Sequence, residues 1–246
     1  MRWKCTCSYD GSSYAGWQKQ QGQTSVQQVI EEVLTTLFKE PAFIQGSGRT
    51  DAGVHALEQV FHFDREWRHG GESLVKALHA LLPKSIRVES AAEVGDDFHS
   101  RFSAVSKRYR YCLKLGEADP FQWAYCWPVP ASLDLNLLGA AMQKLLGKHD
   151  FAAFASSRGN GLEYETTVRH ITEAKVEQDS QYLNLMFRAD GFMYKMVRSL
   201  AGTVVNVGLG RLSLEAVDRL LESAERIPLV QAAPAKGLYL EKVFYS

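Results

Sequence analysis

The sequence predicts an α+β protein in two halves. Alternating and helical hydrophobic periods are interleaved along all 246 residues, and the rhythm starts afresh after a polar stretch at residues 103–106, where the boundary is expected. A chain of this length can bury two modest cores without metal or disulfide staples.

In the first half, residues 2–8 alternate toward the turn Tyr9-Asp10-Gly11 and read as a strand. Thr24 or Ser25 then caps a helix whose apolar stripe is Val26, Val29, Ile30, Val33, Leu37 and Phe38, followed by Pro41. Residues 58–64 alternate like a half-buried strand, residues 74–82 form a second helix stopped by Pro83, and residues 86–91 form a short strand. Phe98-His99-Ser100-Arg101-Phe102 leads out of this half.

The second half opens with a strand at 107–115, a short one near 123–127 and a helix over about 133–146. Strands near 169–177 and 182–188 follow, then a helix over about 192–207, a smaller one at 214–222 and a last strand at 237–244. Ser156-Ser157-Arg158-Gly159-Asn160-Gly161 reads as a mobile loop, and there is no short repeat or low-complexity segment.

Lys plus Arg and Asp plus Glu each number 28, so the formal charge is zero and the chain as a whole carries no polyanion-binding signature. Charge is uneven locally. From Asp97 to Lys114 the basic residues Arg101, Lys107, Arg108, Arg110 and Lys114 are set against Asp97 alone, so a positive strip is expected there. Cys5, Cys7, Cys112 and Cys126 form no Cys-x-x-Cys pair, which disfavours zinc. Their scarcity, with an N-terminal stretch that carries Lys and Arg but no apolar signal core, points to a reduced, cytoplasmic setting. No run approaches the roughly 20 apolar residues that span a bilayer.

Gly46-Ser47-Gly48-Arg49-Thr50-Asp51-Ala52-Gly53-Val54-His55-Ala56 places a carboxylate and a guanidinium among glycines, which let backbone turn tightly or approach a ligand. A plain Gly-, Ser- and Asp-rich surface turn has the same composition. In the helix after Phe192, Met193, Val197, Leu200, Val204 and Val207 recur as a core stripe, beside a second stripe of Tyr194, Arg198, Ala201 and Val205. An Arg among small and apolar neighbours needs an anionic partner unless it snorkels at the helix rim, and Asp51 is the candidate partner. In Lys107-Arg108-Tyr109-Arg110-Tyr111, strand alternation sends Lys107, Tyr109 and Tyr111 to one side and Arg108 and Arg110 to the other. Aromatics beside guanidiniums suit stacked bases and phosphates, although a strand half in core and half in water has the same pattern. His55, His62 and Asp64, with Asp51, are ligand types for a divalent ion. Gly53 argues against a helix that would bring Asp51 and His55 to one face, so no metal is expected and His55 reads as a loop-anchoring hydrogen-bond partner.

Ordered along the chain are Tyr9-Asp10-Gly11, Tyr14-x-Gly16-Trp17-Gln18, Ser25-Val26-Gln27, Gly48-Arg49-Thr50-Asp51-Ala52-Gly53-Val54-His55, Phe98-His99-x-Arg101-Phe102-Ser103 and Arg108-Tyr109-Arg110-Tyr111. Further on come Asp150-Phe151, Thr167-Val168-Arg169, Gly191-Phe192 through Met196-Val197-Arg198 to Gly202-Thr203, and Ala235-Lys236-Gly237-Leu238-Tyr239-Leu240. By this set the chain resembles the TruA family of tRNA pseudouridine synthases over nearly its whole length. The resemblance implies isomerisation of uridine to pseudouridine in the anticodon arm of tRNA, on the 3′ side of the loop and the adjoining stem, without cofactor. It also implies a pseudouridine synthase fold with a ferredoxin-like half, built on a mixed or antiparallel sheet, on each side of a basic cleft, and a homodimer with no membrane association. Residues 1–104 would carry the catalytic loop and residues 105–246 would complete the cleft. Asp51 falls on the family's catalytic aspartate, Tyr109 on its substrate-contacting tyrosine and Arg198 on the arginine that pairs with the aspartate. Arg49, His55, Arg101, Lys107, Arg108 and Arg110, with Tyr109, are the expected substrate contacts.

Breaking the N1–C1′ bond, turning the base and rejoining it through C5 needs assistance that a carboxylate can supply by attack at C1′, by attack at C6 or by removing the C2′ proton. Each route needs Asp51 ionised in a largely dry cleft, where Arg49 or Arg198 supplies the opposing charge. Two other readings use the same residues: an RNA-binding module without catalysis, stacking bases on the strand at Tyr109, and a metal-dependent hydrolase using Asp51, His55 and His62. One departure from the family stands out. Asparagines usually precede the proline, but this chain reads Leu78-His79-Ala80-Leu81-Leu82-Pro83, so a polar role there is altered or lost.

Overall fold

Trp3, Cys5, Cys7 and Tyr9 are the buried members of an alternation that forms β1 (Arg2–Tyr9). The computed structural model describes residues 1–157 and 164–246, which fall into two compact units, residues 1–105 with 239–246 and residues 106–238. Most of the loop expected at residues 156–161 lies outside the described residues.

In the first unit, Ser25 rather than Thr24 caps α1 (Val26–Phe38), accepting the Gln28 N–H at 3.2 Å, and Val26, Ile30 and Leu34 are buried. β2 (Gln45–Gly46) is a two-residue strand that periodicity cannot reveal, and β3 (His55–Asp64) begins three residues earlier than expected. α2 (Gly70–Leu81) also starts early. Gly70 and Gly71 are poor helix formers, yet both positions call for glycine: Gly70 sits at φ +77°, and a Cβ on Gly71 would lie 1.9 Å from the Ala91 carbonyl oxygen of β4 (Ile86–Val94). β1 lies between β4 and β3, antiparallel to both, while β2 pairs antiparallel with β3 at Gln45 and His62. In the departing stretch before Pro83, the His79 imidazole Nε2 is 2.6 Å from the Val88 carbonyl oxygen and ties α2 to β4.

The second unit opens with β5 (Ala104–Leu115), onto which β6 (Trp127–Val129) pairs in parallel. The strand expected near 123–127 is instead a turn. The Asp119 carboxylate accepts the N–H groups of Phe121 and Gln122 at 2.8 and 3.0 Å, and the alternating aromatic rings of Phe121, Trp123 and Tyr125 lie exposed. α3 (Leu135–Lys144), capped by Asp134, leads to the short β7 (Gly147–Asp150). β8 (Val168–Asp179) and β9 (Tyr182–Ala189) complete the order β5-β9-β8-β7. α4 (Met196–Gly208) starts four residues later than periodicity suggests, after Lys195 in the left-handed region at φ 57°. It is buried almost all round, and α5 (Leu214–Ser223) is capped by Ser213.

β10 (Leu238–Tyr245) returns to the first unit, pairing in parallel with β3 through Tyr239 opposite His55 and Leu240 opposite Ala56. Residues 239–246 thus group with residues 1–105 in one compact unit. Strand pairing is mixed within each unit, parallel between β3 and β10 and between β5 and β6 and antiparallel elsewhere, and the architecture is α+β. Among the described residues no helix is long and apolar enough to cross a membrane.

Candidate active site

Between β2 and β3 the chain leaves the first unit's sheet as the loop 47–54, which carries Arg49 and Asp51. Its first limb is tied down by β3: the Ser47 N–H donates to the Val60 carbonyl at 2.7 Å, the Ser47 hydroxyl to Gln59 Oε1 at 2.7 Å, and Gln59 Nε2 to the Gly48 carbonyl at 2.9 Å. Its second limb is held against residues 9–17. The Tyr9 and Thr50 hydroxyls are 2.9 Å apart and buried, the Trp17 N–H donates to the Thr50 carbonyl at 3.1 Å, and the Val54 N–H turns back to the Asp51 carbonyl at 3.1 Å. The approach is too close for side chains. A Cβ on Gly16, itself at φ +94°, would lie 2.4 Å from the Thr50 carbonyl oxygen, and one on Gly11 would lie 2.0 Å from that of Val54. Asp51 is half-buried on this fixed backbone, and Arg49 is exposed.

His55, the next residue but one after Gly53, is 2% exposed and pins the loop's exit. Its Nδ1 accepts the Gly11 N–H at 3.1 Å and lies 3.2 Å from Asp10 Oδ1, and its ring stacks on Tyr239 at 4.8 Å. His62 is packed inside, its Nδ1 accepting the Ser100 N–H at 3.2 Å and its ring 4.7 Å from that of His99. Burial, then the neighbouring His99 and Arg2, push its imidazole down to about 4. Asp64 is gripped by Arg2 Nε and Nη2, each at 2.8 Å, and that hydrogen bonding holds its carboxyl below the usual range. His55, His62 and Asp64 are thus each held by partners of their own. Among the described residues no three His, Cys, Asp or Glu side chains are grouped so as to hold a metal ion.

In the second unit, Tyr109 is 7% exposed on β5, opposite Phe187 on β9 and edge-on to the Phe192 ring at 5.1 Å. Tyr111, on the same face, is fully buried and donates its hydroxyl to the Pro234 carbonyl at 2.6 Å. Burial pushes its phenol well up, while the charge of Arg198 pulls the other way. Lys107, Arg108 and Arg110 are half-buried, and Arg108 Nη1 lies 4.0 Å from Glu173 Oε2, so the expected strip is partly neutralised. Arg198 sits in the first turn of α4 and is half-buried. Its Nε donates to the Ala233 carbonyl at 2.7 Å and its own carbonyl accepts the Ala233 N–H at 3.0 Å. That segment comes close because residue 202 is glycine: a Cβ there would meet the Gln231 carbonyl oxygen at 2.3 Å. Ala201 and Val205 are buried as expected of the second stripe, whereas Tyr194 precedes the helix and stands outside that face. Arg101 is exposed in the first unit, its guanidinium 5.5 Å from the centre of the exposed Phe102 ring.

Tyr9, Gly11, Gly16 and Gln59 hold the loop without having been singled out as site residues from the sequence. Gln59 alone left a local trace, as an amide at an inward position among Val60, Phe61 and Phe63.

A mixed α+β chain with a carboxylate on a rigid glycine-lined loop matches a known class. Residues 6–103 and 141–246 fit the family described as tRNA pseudouridine synthase, and the chain belongs to that family. It is 40% identical over 244 residues to tRNA pseudouridine synthase A of Exiguobacterium sibiricum, covering 99% of this chain and 96% of that one. It is 41% identical over 248 residues to tRNA pseudouridine synthase A of Streptococcus gordonii, covering 99% and 98%. With tRNA pseudouridine synthase A 1 of Protochlamydia amoebophila it shares 39% over 245 residues, 99% and 96% of the two chains.

Proposed function

We propose that this protein isomerises uridine to pseudouridine in the anticodon arm of tRNA, on the 3′ side of the loop and the adjoining stem, with Asp51 as the catalytic carboxylate. The observation that carries the reading is the mounting of Asp51, on backbone locked against Gly11 and Gly16 in a chain similar over 99% of its length to tRNA pseudouridine synthases A. A reaction that severs N1–C1′ and remakes the link at C5 gains most from a carboxylate that needs no reorganisation when charge develops at the sugar and base.

In this reading Arg198 pairs with Asp51 and keeps it ionised, while Arg49 holds the displaced base or its phosphate. Tyr109 covers the extruded uracil and assists loss of the C5 proton. Extrusion costs a few kcal/mol, which phosphate contacts from Arg101, Lys107, Arg108 and Arg110 offset. His55 acts through the loop, as its burial suggests. The catalytic loop lies in the unit holding residues 1–105. Two copies present such surfaces to one tRNA in the cytoplasm, which compensates for zero net charge.

Because the new bond forms at C5, a transcript tritiated there reports turnover directly. Wild-type protein is expected to release tritium, and Asp51→Asn to bind the transcript equally well and release none. Release by the variant would refute the assignment and favour an RNA-binding role for the loop.

A further inference from the structure

Gln59 has no solvent-exposed surface, and both ends of its amide are used. The Ser47 N–H bond to Val60 at 2.7 Å continues the pairing of β2 with β3, after which the chain peels away toward Asp51. There the Gln59 side chain behaves as a surrogate peptide group. Oε1 accepts the Ser47 hydroxyl at 2.7 Å and the Val60 N–H at 3.2 Å, and Nε2 donates to the Gly48 carbonyl at 2.9 Å. A strand neighbour would offer the same pair, one acceptor and one donor. Three residues beyond Gly48 stands Asp51.

We propose that Gln59 is a positioning residue for the reaction: by standing in for a missing strand peptide it fixes the direction in which residues 48–51 leave the sheet, and so the location of the Asp51 carboxylate. This inference rests on the reading of Asp51 as the catalytic group. Gln59 does not touch substrate; it acts through Ser47 and Gly48.

Two substitutions separate positioning from simple packing. Gln59→Met keeps length and volume but offers neither a donor nor a comparable acceptor. Gln59→Glu installs a carboxyl that mimics the amide only when protonated, since the ionised form has no hydrogen for the Gly48 carbonyl. Burial raises the pKa of such a carboxyl, so the mimicry is restored as pH is lowered. Of the titratable neighbours, the Cys7 thiol opposite Gln59 on β1 and the Tyr245 phenol hydrogen-bonded to Ser47 are both pushed far up by burial and stay protonated throughout.

The experiment is single-turnover tritium release at saturating transcript across a pH series, for wild type, both Gln59 variants and Asp51→Asn, with transcript affinity and thermal stability measured in parallel. The expected result is a fall in the chemical rate of roughly ten- to a hundredfold for Gln59→Met at unchanged affinity, and a Gln59→Glu deficit that shrinks as pH falls. A folded Gln59→Met protein with the wild-type rate, or a Gln59→Glu deficit independent of pH, overturns the inference. If Gln59→Met does not fold, the pH series of Gln59→Glu decides. An inert Asp51→Asn assigns any such failure to Gln59 alone, whereas an active one removes the underlying reading and this inference with it.

Discussion

Gly16 illustrates how a residue with no chemistry of its own governs the site. Its φ of +94° disfavours any L side chain, and a Cβ would lie 2.4 Å from the Thr50 carbonyl oxygen, next to Asp51. Gly16→Ala is expected to cost at least ~1 kcal/mol in urea denaturation from the backbone conformation alone and to slow tritium release more than it weakens tRNA binding. His62 makes a different prediction, one of pH. Its ring titrates near 6.5 in the unfolded chain but at about 4 when folded, so the unfolded state takes up the proton first. The stability contributed by the neutral ring is complete above pH 6.5 and is lost as pH falls toward 4, by on the order of 2–3 kcal/mol. Unfolding free energies of wild type and His62→Asn, which keeps an acceptor near the Nδ1 position, should converge over that window; parallel curves would place the burial cost elsewhere. Asp51 and Arg198 stand out in the sequence as candidates because a carboxylate among glycines and an arginine on an apolar stripe are local anomalies. Tyr9, Gly11 and Gly16 were not legible as loop supports, because their partners lie 34 to 43 positions away and a turn-forming glycine looks the same whatever it turns against.

Among the elements, those with long periodic stripes were readable and those defined by pairing were not. α1 followed its stripe to the residue at its C-terminal end and lacked only the choice of cap. Ser25→Ala should lower stability by about 1 kcal/mol through loss of the Gln28 N–H acceptor, measured by chemical denaturation. β2 and β7, of two and four residues, carry no period, and the 119–125 turn mimicked one because its aromatic residues alternate for reasons other than a half-buried sheet. β5 is where the proposed RNA contact is concentrated. Replacing Arg110 by Ala should weaken tRNA binding across sequences and reduce the slope of log affinity against log salt by about 1. Arg108→Ala should change the slope less, because Glu173 already lies 4.0 Å from its guanidinium.

For the whole molecule, the α+β class followed from interleaved periods, whereas the return of the last strand to β3 did not, since parallel pairing of β10 with β3 joins residues more than 180 positions apart. Zero net charge made function invisible to composition, and the ordered motifs restored it; membership of the tRNA pseudouridine synthase family then rests on nearly the entire chain. The proposed pair of copies should appear as a dimer in sedimentation equilibrium. The most direct measurement is to incubate the protein with unmodified tRNA transcripts and map pseudouridine at nucleotide resolution, with Asp51→Asn alongside. Pseudouridine on the 3′ side of the anticodon loop and the adjoining stem, produced by wild type and absent with the variant, is the predicted result; unmodified anticodon arms with wild type, or modification by Asp51→Asn, would contradict it.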